Sequence, residues 1–268
     1  QFEPNEPSVH YELARIDKYI LLKTQTDDSF AEKWHLSLKD LNQKVSHWKF
    51  ILLSERQKRI RPGLDHKCLT SWNAQLIQGL CQAFRVFQQE EFILEARKIG
   101  KWILAHQCQT NGQLFHVNTN GLAGVTGFLE DYAHAIAAFL QLYQQTGEWL
   151  WLEHARTWTN IVEEEFMHAD SKMCYFTSAD SELVVRKMEL HDNVIPASNS
   201  VMARNFFRMG TYFREERWLN NARQMLANMY DGMETYGSGY SNWAYLLLEM
   251  NQGLIEVHLM NQQTTEKI

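Results

Sequence analysis

Four short runs in this chain combine carboxylates, imidazoles, amides and aromatics at spacings that could do chemistry. The first is Arg61-Pro-Gly-Leu-Asp-His-Lys67, followed closely by Trp72 and Asn73. The second is Glu130-Asp131-Tyr132 with His134; Asp131 and His134 are three residues apart and would share a helix face. His191-Asp192 leading to Ser198-Asn199-Ser200 is the third, and Tyr240-Ser-Asn-Trp243 the fourth. Glycosidases need two carboxylates at a set separation. An epimerase needs a base, often histidine, beside a sugar carbonyl. Asp65, Asp131 and His134 are the candidate catalytic residues, with His66 and Asp192 as further acids and bases. Arg61, Lys67, Trp72, Asn73, Glu130, Tyr132, His191, Asn199 and Trp243 are the candidate substrate-binding residues. Aromatic walls with a few convergent polar groups are the usual make-up of a small-molecule cavity. A sugar or another small polar ligand suits them, because its C–H face stacks on a ring while its hydroxyls meet amides and carboxylates. His116, in a glycine-rich link, is a further candidate acid or base, although a lone histidine in a link is more often a surface residue.

Each run stands where a helix should begin. Pro62-Gly63 marks a turn, Thr70 or Ser71 can cap the helix after it, and Leu76, Ile77, Leu80, Cys81, Phe84 and Phe87 recur at helical spacing. Helical hairpins are predicted at about 70–87 with 91–106, 129–145 with 148–166, and 198–213 with 216–230. A last helix is predicted from about 239 to 250. In each second helix an aromatic precedes an alanine by four: Phe92 and Ala96, Trp151 and Ala155, Trp218 and Ala222. That recurrence predicts a helical repeat array. In such an array the first helices run parallel, so the four polar runs gather at one end. The links are long, and Cys174–Thr177 with Leu183–Arg186 reads as a β-hairpin inside one of them. Residues 1–60 read as a lead-in with a short strand near Lys18–Thr24, a short helix capped by Ser29, and a longer helix from Leu38 to Arg59. The array spans 61–251, and 252–268 is an extension.

Composition excludes several classes. Of 268 residues 45% are hydrophobic and 22% charged, and the formal charge is −6 with no basic cluster, which argues against nucleic acid as a partner. No apolar run has the ~20 residues that a membrane span needs, and the start carries no signal-peptide pattern. Cys68, Cys81, Cys108 and Cys174 form no C-x-x-C pair, so no metal or cofactor site is expected and a reducing, cytoplasmic setting is.

Arg61-Pro62 with Asp65 and Lys67, then Leu-Thr-Ser-Trp-Asn73, resembles the signature of a family of large thioredoxin-domain-containing proteins. Its animal members are called spermatogenesis-associated. Gly127-Phe-Leu-Glu-Asp-Tyr132, Tyr175-Phe-Thr177 and Ile195-Pro-Ala-Ser-Asn-Ser200 continue the match in family order, from about Lys18 to Leu259. The resemblance implies an all-α fold: an α/α toroid similar to N-acylglucosamine 2-epimerases and six-hairpin glycosidases, preceded in the family by a thioredoxin-like domain that this chain lacks. It also implies that the ring here is incomplete, with short β-hairpins in its links. The open edge would be covered by the absent N-terminal region, by the 38–59 helix, or by a second copy in a homo-oligomer. Where the family has Asp-Asp-Lys, this chain has Asp65-His66-Lys67. The expected function is an epimerase-like or glycosidase-like sugar-binding or sugar-modifying domain. The alternative is a non-catalytic scaffold accompanying a thioredoxin-like redox domain. Under the first reading, Asp131→Asn should weaken binding and leave stability almost unchanged.

Overall fold

The structure, a computed structural model, describes residues 2–4, 19–21, 23–180 and 185–253. It divides into two compact units between Asp65 and His66, a few residues beyond the expected start of the array. In the first unit, β1 (Phe2–Pro4) pairs antiparallel with β2 (Tyr19–Leu21), Phe2 lying opposite Leu21. Helix α1 (Asp27–Lys33) is capped by Thr26, whose side chain accepts from the Ser29 N–H. The expected cap, Ser29, is instead inside the first turn, because Thr26 has the extended backbone that a cap needs. Ser37 caps α2 (Leu38–Gln57) by accepting from Asp40 N–H at 3.1 Å.

The second unit holds the hairpins. They are α3 (Thr70–Phe87) with α4 (Glu90–His106), α5 (Leu129–Thr146) with α6 (Trp149–Glu165), and α7 (Ser198–Phe213) with α8 (Glu216–Ala227). The short α9 (Tyr230–Thr235) and a 3-10 turn (Gly237–Tyr240) lead to α10 (Ser241–Gln252). The predicted helix through Tyr230 therefore ends early, at Ala227, and the last helix starts at Ser241 rather than Gly239.

Helix α5 is the most enclosed element of the unit. Its run from Asp131 to Leu140 is buried on every side. Four alanines in that run let α3, α6 and α7 approach closely, and apart from Asp131 and His134 the run is apolar on every face, as an interior helix is. The outer helices bury a single stripe, as in Ile93, Ala96, Gly100 and Ile103 of α4. Trp151, Trp158 and Phe139 pack as tilted and edge-on rings between α5 and α6. At the α7–α8 contact a Cβ on Gly210 would stand 3.0 Å from the Leu219 backbone nitrogen, so only glycine fits.

The three hairpin turns are built alike. Gln88, Gly147 and Arg214 each take the left-handed conformation and donate N–H to the carbonyl four residues back, and the next residue is extended. The outer helix then places its aromatic at the third position: Phe92, Trp151 and Trp218. A side chain at positive φ is strained where glycine is not. Arg214→Gly, at φ 54° and exposed, should therefore stabilise the fold by about 0.5–1 kcal/mol in urea denaturation. An unchanged or lower midpoint would refute a strained turn.

The β-structure lies elsewhere than expected. β3 (Lys67–Leu69), just ahead of α3, joins β4 (Phe115–Thr119) and β5 (Leu122–Thr126) of the first long link in an antiparallel sheet of order β3-β4-β5. Cys174 makes only an isolated bridge with Met167, and residues 181–184 of the predicted hairpin lie outside the described residues. On α3, Trp72, Leu76, Val86 and Phe87 stand exposed along the helix.

Candidate active site at the inner-helix starts

The starts of α3, α5, α7 and α10 are tied in pairs by carboxylates. Asp131, at the third position of α5, is fully buried. Its Oδ2 accepts from the Phe128 N–H at 2.9 Å, and its Oδ1 accepts from the Ser71 N–H of α3 at 3.0 Å. Asp192 does the same between α7 and α10. Its Oδ1 accepts from Ala197 N–H at 2.9 Å and Ser200 Oγ at 2.7 Å, and its Oδ2 accepts from Asn242 N–H at 2.8 Å. Helix starts leave backbone N–H groups without partners, and a carboxylate from a neighbouring element satisfies two helices at once. Thr70 and Ser71 are thus not the caps of α3: Thr70 Oγ1 donates to Phe115 O at 2.6 Å, and Ser71 Oγ is buried without a partner among the described residues.

His116 completes the first tie. From β4 its Nδ1 meets Asp131 Oδ2 at 2.9 Å, and Glu130 Oε1 lies 3.9 Å from the same nitrogen. Its ring packs on Phe128, which stacks on Phe176 at 4.9 Å. The chain can enter α5 beside this stack because Gly127 has no Cβ; one would stand 2.9 Å from Leu114 O. His116 is therefore not the surface residue expected from its place in a link. The β4 pleat turns it inward, with 19% of its side chain exposed. Its Nε2 makes no hydrogen bond among the described residues.

The electrostatics follow from burial and pairing. The hydrogen bond to Asp131 raises the His116 pKa above the usual imidazole range, against the opposing effect of burial. Burial also raises Asp131, and the His116 bond offsets part of this. The pair thus holds one proton between Nδ1 and Oδ2 to higher pH than either group would alone. Glu130 is raised by burial first, then by the charges of Asp131 and of Glu189. It therefore keeps its carboxyl proton more readily than an exposed glutamate. His116, Glu130 and Asp131 are also the one group among the described residues with donor atoms close enough to share a cation, within 4.8 Å of one another. Asp131 already serves three N–H donors there, and the expectation of no metal is left as it was.

The structure brings Glu130 and Asp131 together with His116, and it assigns other expected residues to structural roles. Tyr132 is buried, its hydroxyl accepting from Leu114 N–H at 2.9 Å. Trp243 is buried and donates to Leu190 O. Neither ring can form a cavity wall, because each points into the core. Asn199 is buried; it accepts from Cys174 N–H and donates to the carbonyls of Cys174 and Glu189. Asn73 donates to Leu69 O within its own helix start. His191 is exposed and bonded to Tyr240 Oη at 2.8 Å. Trp72 is 62% exposed at the start of α3, and Lys67 is exposed on β3. Arg61 and Asp65 belong to the first unit and are exposed. His134 lies one turn beyond Glu130 on α5 and is 4% exposed. Glu189, absent from the expected set, accepts from Ser198 N–H at 3.1 Å and from Ser198 Oγ; a single acid in a link gave no signal.

No protein-family profile matches the chain. Rat (Rattus norvegicus) spermatogenesis-associated protein 20 is 28% identical over 180 residues, 63% of this chain and 23% of that protein. The chain spans less than a third of the length of the curated relatives it matches. Among solved structures, cellobiose 2-epimerase from Bacillus thermoamylovorans superposes with a TM-score of 0.52 at 12% identity, covering 62% of this chain and 45% of that one. A GH76 α-mannanase of Bacteroides thetaiotaomicron gives 0.56 at 13%, covering 73% and 54%. No helix among the described residues is long and apolar enough to cross a membrane. The chain is thus similar in sequence to spermatogenesis-associated protein 20, and its hairpins have the α/α-toroid fold found in sugar epimerases and six-hairpin glycosidases.

Proposed function

We propose that this chain is a sugar-modifying domain that moves a proton at the carbon next to a sugar carbonyl, as epimerases and isomerases do. The observation that carries this reading is the His116–Asp131 pair. With Nδ1–H donated to the buried carboxylate, Nε2 is left as the basic atom, and the bond to Asp131, by raising the pKa, makes it a stronger base. His116 Nε2 would take the C–H proton while Glu130, which retains its own proton, gives it to the carbonyl oxygen. Return of the C–H proton from Nε2 to the former carbonyl carbon of the enediol, while Glu130 takes a proton from the hydroxyl on the carbon that lost it, completes an isomerisation and restores both groups. A hydrolase would need two working carboxylates, and Asp131 is committed to three N–H donors. The toroid neighbours include a cellobiose 2-epimerase and a D-mannose isomerase, which agrees with this choice. The setting that fits is a reducing one such as the cytoplasm, since Cys68, Cys81, Cys108 and Cys174 are all free thiols.

The test is proton exchange. Reducing mono- and disaccharides incubated with the chain in D₂O should take up deuterium at the carbon next to the carbonyl, read by proton NMR. Absence of exchange across such a panel would overturn the reaction. The other reading, a non-catalytic module accompanying a thioredoxin-like domain, is favoured by the structural duties of Asp131, Tyr132, Asn199 and Trp243. It expects no exchange with any sugar.

A further inference from the structure

A second feature lies along the axis of the array. Helices α3, α5, α7 and α10 line a cleft of about 550 Å³, which is within the usual size of small-ligand sites. Facing inner helices normally close such a space with apolar side chains. Here Gln78 and Gln82 from α3 and Gln141 and Gln144 from α5 line it instead. Gln82 donates to Gln141 across the cleft at 3.2 Å, and Gln144 donates to Tyr212 Oη at 3.0 Å, so these amides are held in place.

The charge in the cleft is one-sided. Arg85, Arg204 and Arg208 line it, and none of its lining residues among those described is a carboxylate. Glu249 stands behind and binds both Arg204 and Arg208, at 3.0 and 2.5 Å. Burial alone would raise its pKa, but the two guanidinium groups outweigh burial and hold it below the usual carboxylate range. One negative charge therefore faces two positive ones. Arg204 is fixed further by Asn242 and by stacking on Tyr245. Arg85 makes no ion pair among the described residues. A positive cleft in a chain of net charge −6 favours an anion there.

One buried group lacks its partner. His134 lines the cleft, is 4% exposed, and its Nδ1 has no hydrogen bond among the described residues. A buried polar atom without a partner is costly, and a ligand hydroxyl in the cleft would remove that cost. We infer that the axial cleft binds a small polyhydroxylated anion: its hydroxyls meet the glutamine amides and His134, and its charged group meets Arg85 and Arg208. Binding there needs no proton transfer at His116, so it stands or falls separately from the reaction proposed above.

The experiment is equilibrium binding to the 268-residue chain at fixed ionic strength, by calorimetry and by the ring NMR signals of His134. Methyl glucuronide supplies a carboxylate and glucose 6-phosphate a phosphate, while methyl glucoside is the neutral control. At least one anionic sugar should bind about tenfold or more tightly than methyl glucoside, with higher salt narrowing the gap and the His134 signals moving on binding. The better of the two anions identifies the charged group. Arg85→Gln should weaken the anion about tenfold and leave the neutral control unchanged. Equal affinity for charged and neutral sugars, no binding of either anion, or binding that leaves the His134 signals unmoved would each overturn the assignment in the parent chain alone. An unchanged anion affinity in the Arg85 variant would do the same.

Discussion

Acidification from pH 6.5 to pH 4 should cost this fold about 3 kcal/mol through one residue, His134. Burial pushes its pKa down to about 4, and no carboxylate or carbonyl partner opposes the shift. An unfolded chain carries the same imidazole near the ordinary value of about 6.5. Between those two values the unfolded state binds the proton and the folded state does not, so stability falls as pH falls. Above 6.5 the contribution is fully present, and below 4 nothing further is lost. Urea denaturation at several pH values should show a steep acid limb in the parent and a shallower one in His134→Gln. Parallel limbs would mean that His134 is not buried neutral. His116 acts in the opposite sense. Its raised pKa gives stability that is present below the unfolded value and is lost as pH rises through the folded one.

Asp131→Asn should destabilise the chain by about 2–4 kcal/mol, as the loss of charged hydrogen bonds and a helix cap does. The expectation from sequence was the reverse, with binding weakened and stability kept. The geometry decides against it. An amide has one acceptor oxygen, whereas Asp131 uses both of its oxygens on backbone N–H groups. Whichever way the asparagine turns, its NH₂ meets a donor, at Ser71 or at Phe128. The N–H left unpaired is buried at a helix start, so water cannot replace the bond. Chemical denaturation measures the loss, and hydrogen exchange should quicken at the Ser71 amide. A variant within 0.5 kcal/mol of the parent would mean that the carboxylate does not tie α3 to α5.

What could be read from sequence was whatever repeats locally. The bounds of α3 and α7 match their predicted spans, since each carries its own apolar period and turn. The break after Ala227 carries no Gly or Pro and was read through. Asn120-Gly121, with φ of 53° and 85° between strands that pair Thr119 with Leu122, is a strong hairpin signal of the I′ type, a better one than residues 174–186 offer. Periodicity could also have sent Tyr132 inward, since Tyr132, Ile136 and Phe139 share a face. The ties at the site were not legible. Asp131 bonds Ser71, 60 residues away, and His116, 15 away, and spacing along the chain carries no trace of either.

The three two-residue turns give the array two unlike rims. At the far end of each inner helix the chain turns at once, through Gln88-Gln89, Gly147-Glu148 or Arg214-Glu215. Every long return segment, from 107 to 128, 166 to 197 and 228 to 240, comes back to the end where the helix starts meet. Link length can therefore change at the mouth of the site without shifting the register of any hairpin, as the grafting of a new specificity loop would require. The opposite rim has no slack to give, and it suits the fixed jobs. A fluorophore or surface tether at Gln89, Glu148 or Glu215 would stand about 27 Å from the helix starts, the length of an 18-residue helix such as α5, and would leave the mouth unobstructed.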